Sequence, residues 1–422
     1  MKILVFGTLY EPDLGPSVPL IGSLCKALVQ SGHQVTVITL VPHYPTGIVS
    51  KEFRGRLFWH SMEDGVEIIR VGLPSVDRTK LPLRLLQFIC YQLGAAWAIL
   101  GQKYDVVLAG SPALSGWLPF AVGVALRRKP AVYSVQDLYP DVGMALGIFR
   151  NKFVIDVIAA LEKFCLRHAT TVQTISGSFL PGLHRLGVPD SKIALVYNWV
   201  DTDFVRPLPR LNEFSKEYGF DKRFVVLYAG NMGPSQGLQN VLTVAENLKE
   251  ERDILFVLVG DGSAKKALVN EAQDRCLTNV LFLPFQPRER LPAVMASANI
   301  ALVPLRRGIE LGSLPSKLFT VLASGRALVT CVEKDSEMWQ LVERANAGLT
   351  IPPEDPTALS QAILVLKNDE KLRDQMGKNA RQWAEQNHSV KVAKEKFEQL
   401  LSDAIDKARQ KVSQEKHKLV KP

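Results

Sequence analysis

Two doubly wound α/β domains, each a parallel sheet flanked by helices, are what this sequence predicts, and three observations carry the expectation. Short β-branched-rich runs alternate with stretches of helical spacing, the signature of βαβ units. The alternation breaks once, at 201-DTDFVRPLPR-210, where turns and two prolines interrupt it, and then restarts. The chain has 422 residues, 47% of them apolar, which is long for one domain and suits two of about 200 each.

The first half opens with the run Lys2–Gly7, followed by helical spacing over Val18–Ser31 that stops at Gly32. Val35–Leu40, Asp105–Ala109, Ala131–Val135, Thr171–Thr174 and Ile193–Val196 read as the next strands. In the second half the strands are Phe224–Ala229, Ile254–Gly260, Val280–Phe285, Ile300–Pro304 and Ala327–Thr330. The linker is expected at 201–210. Two such halves facing each other leave a cleft, and ligands of open α/β sheets bind at the carboxyl ends of the strands lining it.

Two strings in the second half carry the most chemistry. In 228-YAGNMGPSQGL-238 a strand runs into a Gly-rich turn and an amphipathic helix. In 310-ELGSLPSKLFTVLASG-325, Gly, Ser, Pro and Lys stand just ahead of a small-residue helix. Glycine lets backbone N–H groups approach an anion, and a helix N-terminus adds about half an elementary charge. Two such turns in one domain point to a diphosphate held between loops.

A formal charge of +9 fits anionic partners such as a phosphorylated substrate or a lipid surface. The stacking aromatics and arginines of nucleic-acid modules are absent, so no nucleic acid is expected. Lys407–Pro422 holds six Lys/Arg against one Glu, and both a solvated end and a binding device fit it. Cys25, Cys90, Cys165, Cys276 and Cys331 are scattered among apolar neighbours and read as reduced core thiols. The start, MKILVFGTLY, reads as a strand and not a signal peptide, so a cytoplasmic location is expected. Leu81–Leu100 is apolar on nearly every face and long enough to span a bilayer, although Arg84, Gln87 and Gln92 tell against spanning. A buried domain helix and an interfacial helix, in peripheral contact with the inner membrane face, are the other two readings.

Taken in order, 31-SGHQVTVIT-39, 135-VQDLYPDVGMALGIF-149, 174-TISGSFLPGL-183, 197-YNWVDTDFVRP-207, the two strings above and 345-ANAGLTIPPEDPTAL-359 carry a family likeness. Over nearly its whole length the chain resembles the retaining GT-B glycosyltransferases of family 4. The likeness is strongest to the bacterial branch that assembles O-antigen, colanic acid and related exopolysaccharides. This implies a Rossmann-like acceptor-binding domain over 1–200 and a nucleotide-sugar-binding one over 201–385. Residues 386–422 become a helix returning toward the N-terminal domain, plus the basic tail. The implied donor is a nucleotide-diphosphate sugar, UDP-sugar favoured, and the implied acceptor a lipid-linked saccharide, with no cofactor expected. No metal is expected either, on the reading that no Asp-x-Asp metal motif stands in the chain.

Individual roles follow from the same resemblance. Gly15, in 11-EPDLGPSVP-19, matches the family's glycine beside the donor phosphates. Where the family commonly carries an Arg and a Lys, this chain has Asn231 and Gln236, which removes two cations from a leaving diphosphate. The N–H groups of the Gly230 turn and Lys317 are the compensations, Lys317 being read as a phosphate contact with a catalytic role or as a surface lysine. Two glutamates common in the family correspond to Gly312 and Thr320. Pro315, Ser316 and Thr320 are placed at the nucleotide, and Glu310, Gly312 and Ser313 at the donor sugar. Glu310 reads equally as a plain loop glutamate. Gly260, Asp261, Phe285 and Gln286 are assigned to the base, a tight turn without ligand being the alternative.

For the acceptor, Asp137 in 136-QDLYPD-141 is the candidate that orients or deprotonates the hydroxyl, with Asp141 second. An Asp after a strand also reads as a helix cap. His43 and Tyr44, in 41-VPHYPTG-47, follow the second strand on the same side. The implied chemistry is front-face transfer, in which the leaving phosphate helps deprotonate the acceptor and the protein positions and stabilises. An epimerase on the same fold and a partner subunit without activity are the rival readings.

Overall fold

β-Branched and aromatic residues dominate the strands because the sheets are buried on both faces, and a parallel strand so buried reads as an unbroken apolar run. The computed structural model describes residues 1–13, 15, 17–44, 47–74, 81–145, 149–308 and 314–419, side chains at 81–85, 145, 412 and 415–419 excepted. The chain divides into two units, Met1–Tyr197 together with the last helix, and Asn198–Ser389.

The strands of the first unit are β1 (Lys2–Phe6), β2 (Gln34–Leu40), β3 (Phe58–Glu63), β4 (Val66–Val71), β5 (Val106–Gly110), β6 (Ala131–Val135), β7 (Thr171–Thr174) and β8 (Ile193–Leu195). They form one sheet in the order β3-β4-β2-β1-β5-β6-β7-β8. Only β3 runs antiparallel, joined to β4 through Asp64 and Gly65, both at positive φ (50° and 78°), as a two-residue hairpin turn requires. This hairpin and the strand Gly348–Ile351 of the second unit are absent from the predicted strands. Phe58–Glu63 is largely exposed and shows no apolar alternation. Val66–Val71 is buried but interrupted by Glu67 and Arg70, and Gly348–Ile351 is only four residues long.

The second unit holds β9 (Phe224–Ala229), β10 (Ile254–Val259), β11 (Val280–Leu283), β12 (Ile300–Pro304), β13 (Ala327–Cys331) and β14 (Gly348–Ile351). Their order is β11-β10-β9-β12-β13-β14, all parallel. Counted within the unit, that is the 3-2-1-4-5-6 order of a dinucleotide-binding sheet. Residues 202, 205 and 208 are bonded into this unit, their carbonyls accepting from Arg381 and Arg326.

The last helix, Val390–Leu419, packs against the helix Val18–Gln30 and against β5 and β6, burying Ala393, Phe397, Leu401 and Ala404. Helix Leu81–Leu100 lies against β2 and β4, with Tyr91, Ala95 and Ile99 buried beneath it. Its outer side is exposed, so a wholly buried helix is not what the structure contains. Among the described residues no helix is long and apolar enough to cross a membrane.

Candidate active site

The second sheet reverses its winding between β9 and β12, and a doubly wound sheet binds ligands at the carboxyl ends of its strands there. β9 runs into Gly230 (φ 145°) and β10 into Gly260 (φ 142°), conformations that favour glycine. A Cβ on Gly260 would lie 2.0 Å from the Gly230 carbonyl oxygen. One on Gly262 would lie 2.6 Å from Asn231 Oδ1. Bare glycines therefore let the two turns stack, and the Met232 N–H donates to the Asp261 carbonyl at 2.7 Å to tie them.

Lys317 opens the helix Lys317–Ala323 and stands beside this turn, since a Cβ on Gly230 would sit 3.4 Å from its Nζ. Its ammonium donates to the Tyr228 hydroxyl at 2.7 Å and to Gln236 Oε1, and lies 4.4 Å from the Tyr228 ring centroid. Tyr228 donates onward to the Asn231 carbonyl at 2.5 Å. Every one of these partners is neutral, and burial pushes Lys317 down to about 7. An anion arriving at the turn would supply the missing counter-charge. Arg306, just past β12, donates its backbone N–H to Ser235 at 2.9 Å and packs on Gly237, where a Cβ would lie 3.3 Å from Arg306 Cγ.

In the first sheet β2, β1, β5 and β6 are parallel neighbours, so the loops that follow them share one edge. Buried Asp13, after β1, accepts the N–H groups of His43 (3.0 Å) and Tyr44 (2.8 Å) through Oδ1. Its Oδ2 lies 3.9 Å from His43 Nδ1 and has no hydrogen-bond partner among the described residues. Ser111, after β5, accepts the N–H groups of Gln136 (3.0 Å) and Asp137 (3.4 Å), which fixes the turn carrying Asp137. Burial pushes the Asp137 carboxyl up to about 6. Glu162, on the helix Lys152–His168, accepts from the Ala113 N–H and the Tyr133 hydroxyl, both at 2.9 Å, and so anchors the loop after β5. Burial pushes Glu162 up to about 7. Gly15 is buried, and a Cβ there would lie 2.6 Å from Leu9 Cδ1.

The remaining candidates sit elsewhere. Asp141 opens the helix Asp141–Ala145 and is held by Arg185 Nη2 at 2.6 Å in an exposed ion pair. Phe285 is 63% exposed. Gln286 is turned onto its own loop, donating to Pro284 at 3.1 Å and accepting from Arg290 at 3.1 Å. Pro315 and Ser316 precede the Lys317 helix, the Pro315 carbonyl accepting Leu318 N–H at 3.1 Å, and Thr320 is half-buried one turn along. Glu310, Gly312 and Ser313 lie outside the described residues.

Asp201-Thr202-Asp203 does have the Asp-x-Asp spacing of a metal motif, which corrects the ground for expecting no metal. Asp201 Oδ1 accepts the N–H groups of Asp203 (3.1 Å) and Phe204 (2.9 Å), closing a turn. Among the described residues no group of three or more His, Cys, Asp or Glu could hold a metal ion. A cavity of about 560 Å³ opens at the opposite edge of the second sheet, lined by Arg210, Arg326, Arg373 and Arg381. Those guanidiniums are engaged with the carbonyls of Phe220, Leu208, Leu366 and Val205. Tyr228, Arg306, Asp13, Ser111 and Glu162 join the two sites without having been assigned a role from sequence. Only Tyr228, opening the Gly-rich string, carried a signal.

The family model for glycosyl transferases group 1 matches residues 211–383, and that for the glycosyl transferase 4-like domain matches residues 18–199. WcaI of Escherichia coli strain K12, named as a colanic acid biosynthesis glycosyl transferase, is 29% identical over 398 residues, covering 89% of this chain and 95% of that protein. WbjE of Pseudomonas aeruginosa, named as a glycosyltransferase, is 26% identical over 368 residues, 83% of this chain and 90% of that one. Among solved structures, Anabaena HepE in complex with UDP-glucose superimposes with a TM-score of 0.71 at 17% identity, over 96% of this chain and 100% of that one. WaaG, a glycosyltransferase involved in lipopolysaccharide biosynthesis, gives 0.66 at 15%, over 94% and 99%. These structural likenesses establish the fold. With a 4-like domain matched across its first unit and a group 1 domain across its second, the chain belongs to the family 4 (group 1) glycosyltransferases of the GT-B fold.

Proposed function

We propose that this enzyme transfers a sugar, with retention, from a nucleotide-diphosphate donor, UDP-sugar foremost, to a hydroxyl of a lipid-linked saccharide in cell-surface polysaccharide synthesis. The observation that carries the reading is the meeting of the stacked Gly230 and Gly260 turns with Lys317, a half-buried cation whose bonded partners are all neutral. The colanic acid name of WcaI and the UDP-glucose held by HepE support the substrate classes.

In this reading the diphosphate accepts from the Gly230 turn and from Lys317. Charge builds on the phosphate as the glycosidic bond breaks, and a cation held in place before reaction stabilises that charge most. The departing phosphate takes the acceptor proton from the front face, while Asp137, pushed up to about 6, orients or holds the acceptor hydroxyl. Thermal unfolding against UDP, GDP, ADP and TDP tests the donor half. UDP is expected to raise the midpoint by mass action and Lys317→Ala to erase the rise. No shift with any of the four would sink the donor-site reading.

A further inference from the structure

Helix Leu81–Leu100 is built the wrong way round for a helix that ends in water. Its glutamines point inward: Gln87 donates to the carbonyls of Gly47 (3.3 Å) and Pro74 (3.2 Å). Gln92 donates to Leu114 at 2.8 Å and accepts the Leu118 N–H at 3.1 Å. The outward face carries Leu86, Ile89, Leu93, Trp97 and Leu100, spaced three or four residues apart as one helical stripe. Leu93 is 60% and Trp97 70% exposed.

The stripe has a cationic end. Arg127 donates to the carbonyls of Ile99 (2.6 Å) and Gln102 (2.9 Å), which fixes the segment after β5 beside the helix C-terminus. Leu126, 71% exposed, and the exposed Arg128 and Lys103 cluster there with Lys129, whose Nζ lies 5.7 Å from the Tyr104 ring centroid. Residues 81–104 and 106–136 contain no Asp or Glu.

We propose that this face docks the enzyme peripherally on an anionic bilayer. The stripe enters the boundary between headgroups and acyl chains, with Trp97 at headgroup depth and Lys103, Arg128 and Lys129 on lipid phosphates. Single exposed apolar side chains are ordinary, but five in register on one face, ending in a cationic cluster whose one neighbouring acid is Asp105, mark an interaction surface. A second copy of the chain is the rival occupant, and a two-fold pairing of this patch would bring four cations on each side together with only Asp105 to offset them.

Co-sedimentation with vesicles of phosphatidylglycerol and phosphatidylethanolamine, against phosphatidylcholine alone, tests it on the full chain without donor. The native enzyme is expected to pellet with the anionic vesicles and to be largely released at about 0.5 M salt. Leu93→Glu with Trp97→Glu should weaken binding by about tenfold or more, and Arg128→Glu with Lys129→Glu should abolish the preference for anionic lipid. Trp97→Phe keeps the face apolar, so it guards against misfolding: it should bind while losing the fluorescence blue shift that vesicles induce. Native enzyme left in the supernatant, or binding unchanged in the Leu93/Trp97 variant, overturns the proposal. So does a native dimer that this variant splits while vesicles capture neither form.

Discussion

Among the described residues Lys317 is a cation held without an anion, and that fixes how it should respond to pH. Its ordinary value is 10.5 and burial takes it to about 7. Between those values the folded chain binds fewer protons than the unfolded one, so this group's contribution to stability is least favourable below pH 7 and improves as pH rises toward 10.5. A diphosphate at the ammonium reverses the burial effect by restoring the proton. Affinity for UDP-glucose, whose diphosphate does not titrate in this range, should therefore be highest below pH 7 and fall about fivefold between pH 7 and 8. Calorimetry in buffers of different ionisation enthalpy should show proton uptake on binding, and Lys317→Arg should flatten the profile. A flat profile in the native enzyme would remove Lys317 from the anion site. The sequence could name Lys317, because a Lys after Gly-Ser-Leu-Pro-Ser at a helix start has a local form. It could not show that Gln236, standing where the family carries a cation, accepts from that lysine, since the two are 81 residues apart and only the switch point brings them together. Asp13, Ser111 and Glu162 were hidden for the same reason: each acts across strands on a loop from elsewhere in the chain.

At the scale of elements, the approach of the β9 and β10 ends is what shapes the donor turn. Gly260→Ala would need φ near 142° and would drive a Cβ to 2.0 Å from a backbone oxygen, which cannot step aside as a flexible side chain would. We expect a loss of about 3 kcal/mol in stability and of UDP binding with it. Gly32→Ala is the control, with φ at 84° but nothing within 4 Å of the added Cβ. It should cost about 1 kcal/mol through backbone strain and leave UDP binding intact. Denaturation midpoints and calorimetry on the pair separate the two effects, and equal behaviour would show that the close approach does not shape the site. β9 and β12 were legible to the residue because both faces are apolar, whereas buried β4 was not, its run broken by Glu67 and Arg70. Exposed β3 was not, its only trace being Asp64-Gly65. Leu81–Leu100 was legible as a helix, but its orientation was not, because glutamines within an apolar run give no sign of facing inward until Leu114, Leu118 and Gly47 are in place.

For the whole molecule, the two-domain α/β class followed from the restart of the strand–helix alternation, a signal that survives errors of a residue or two in any one strand. What periodicity did not carry is the debt of the first unit to the far end of the chain. Its sheet is covered in part by Val390–Leu419, whose Phe397 and Leu401 are buried and whose Glu398 lies 3.2 Å from His33 Nε2, in the turn after the helix Val18–Gln30. Burying a Phe or a Leu is worth about 2–3 kcal/mol each, a large share of a domain's net stability of about 5–15 kcal/mol. A chain ending at Ser389 should therefore lose the first unit's cooperative transition, or show it at much lower temperature, while Asn198–Ser389 unfolds near its native midpoint. UDP should still raise that second transition, because Gly230, Gly260 and Lys317 all belong to Asn198–Ser389. Scanning calorimetry with and without UDP reads both effects. A truncated chain whose two transitions fall together would mean that the units unfold as one, and that the last helix stabilises the second unit as much as the first.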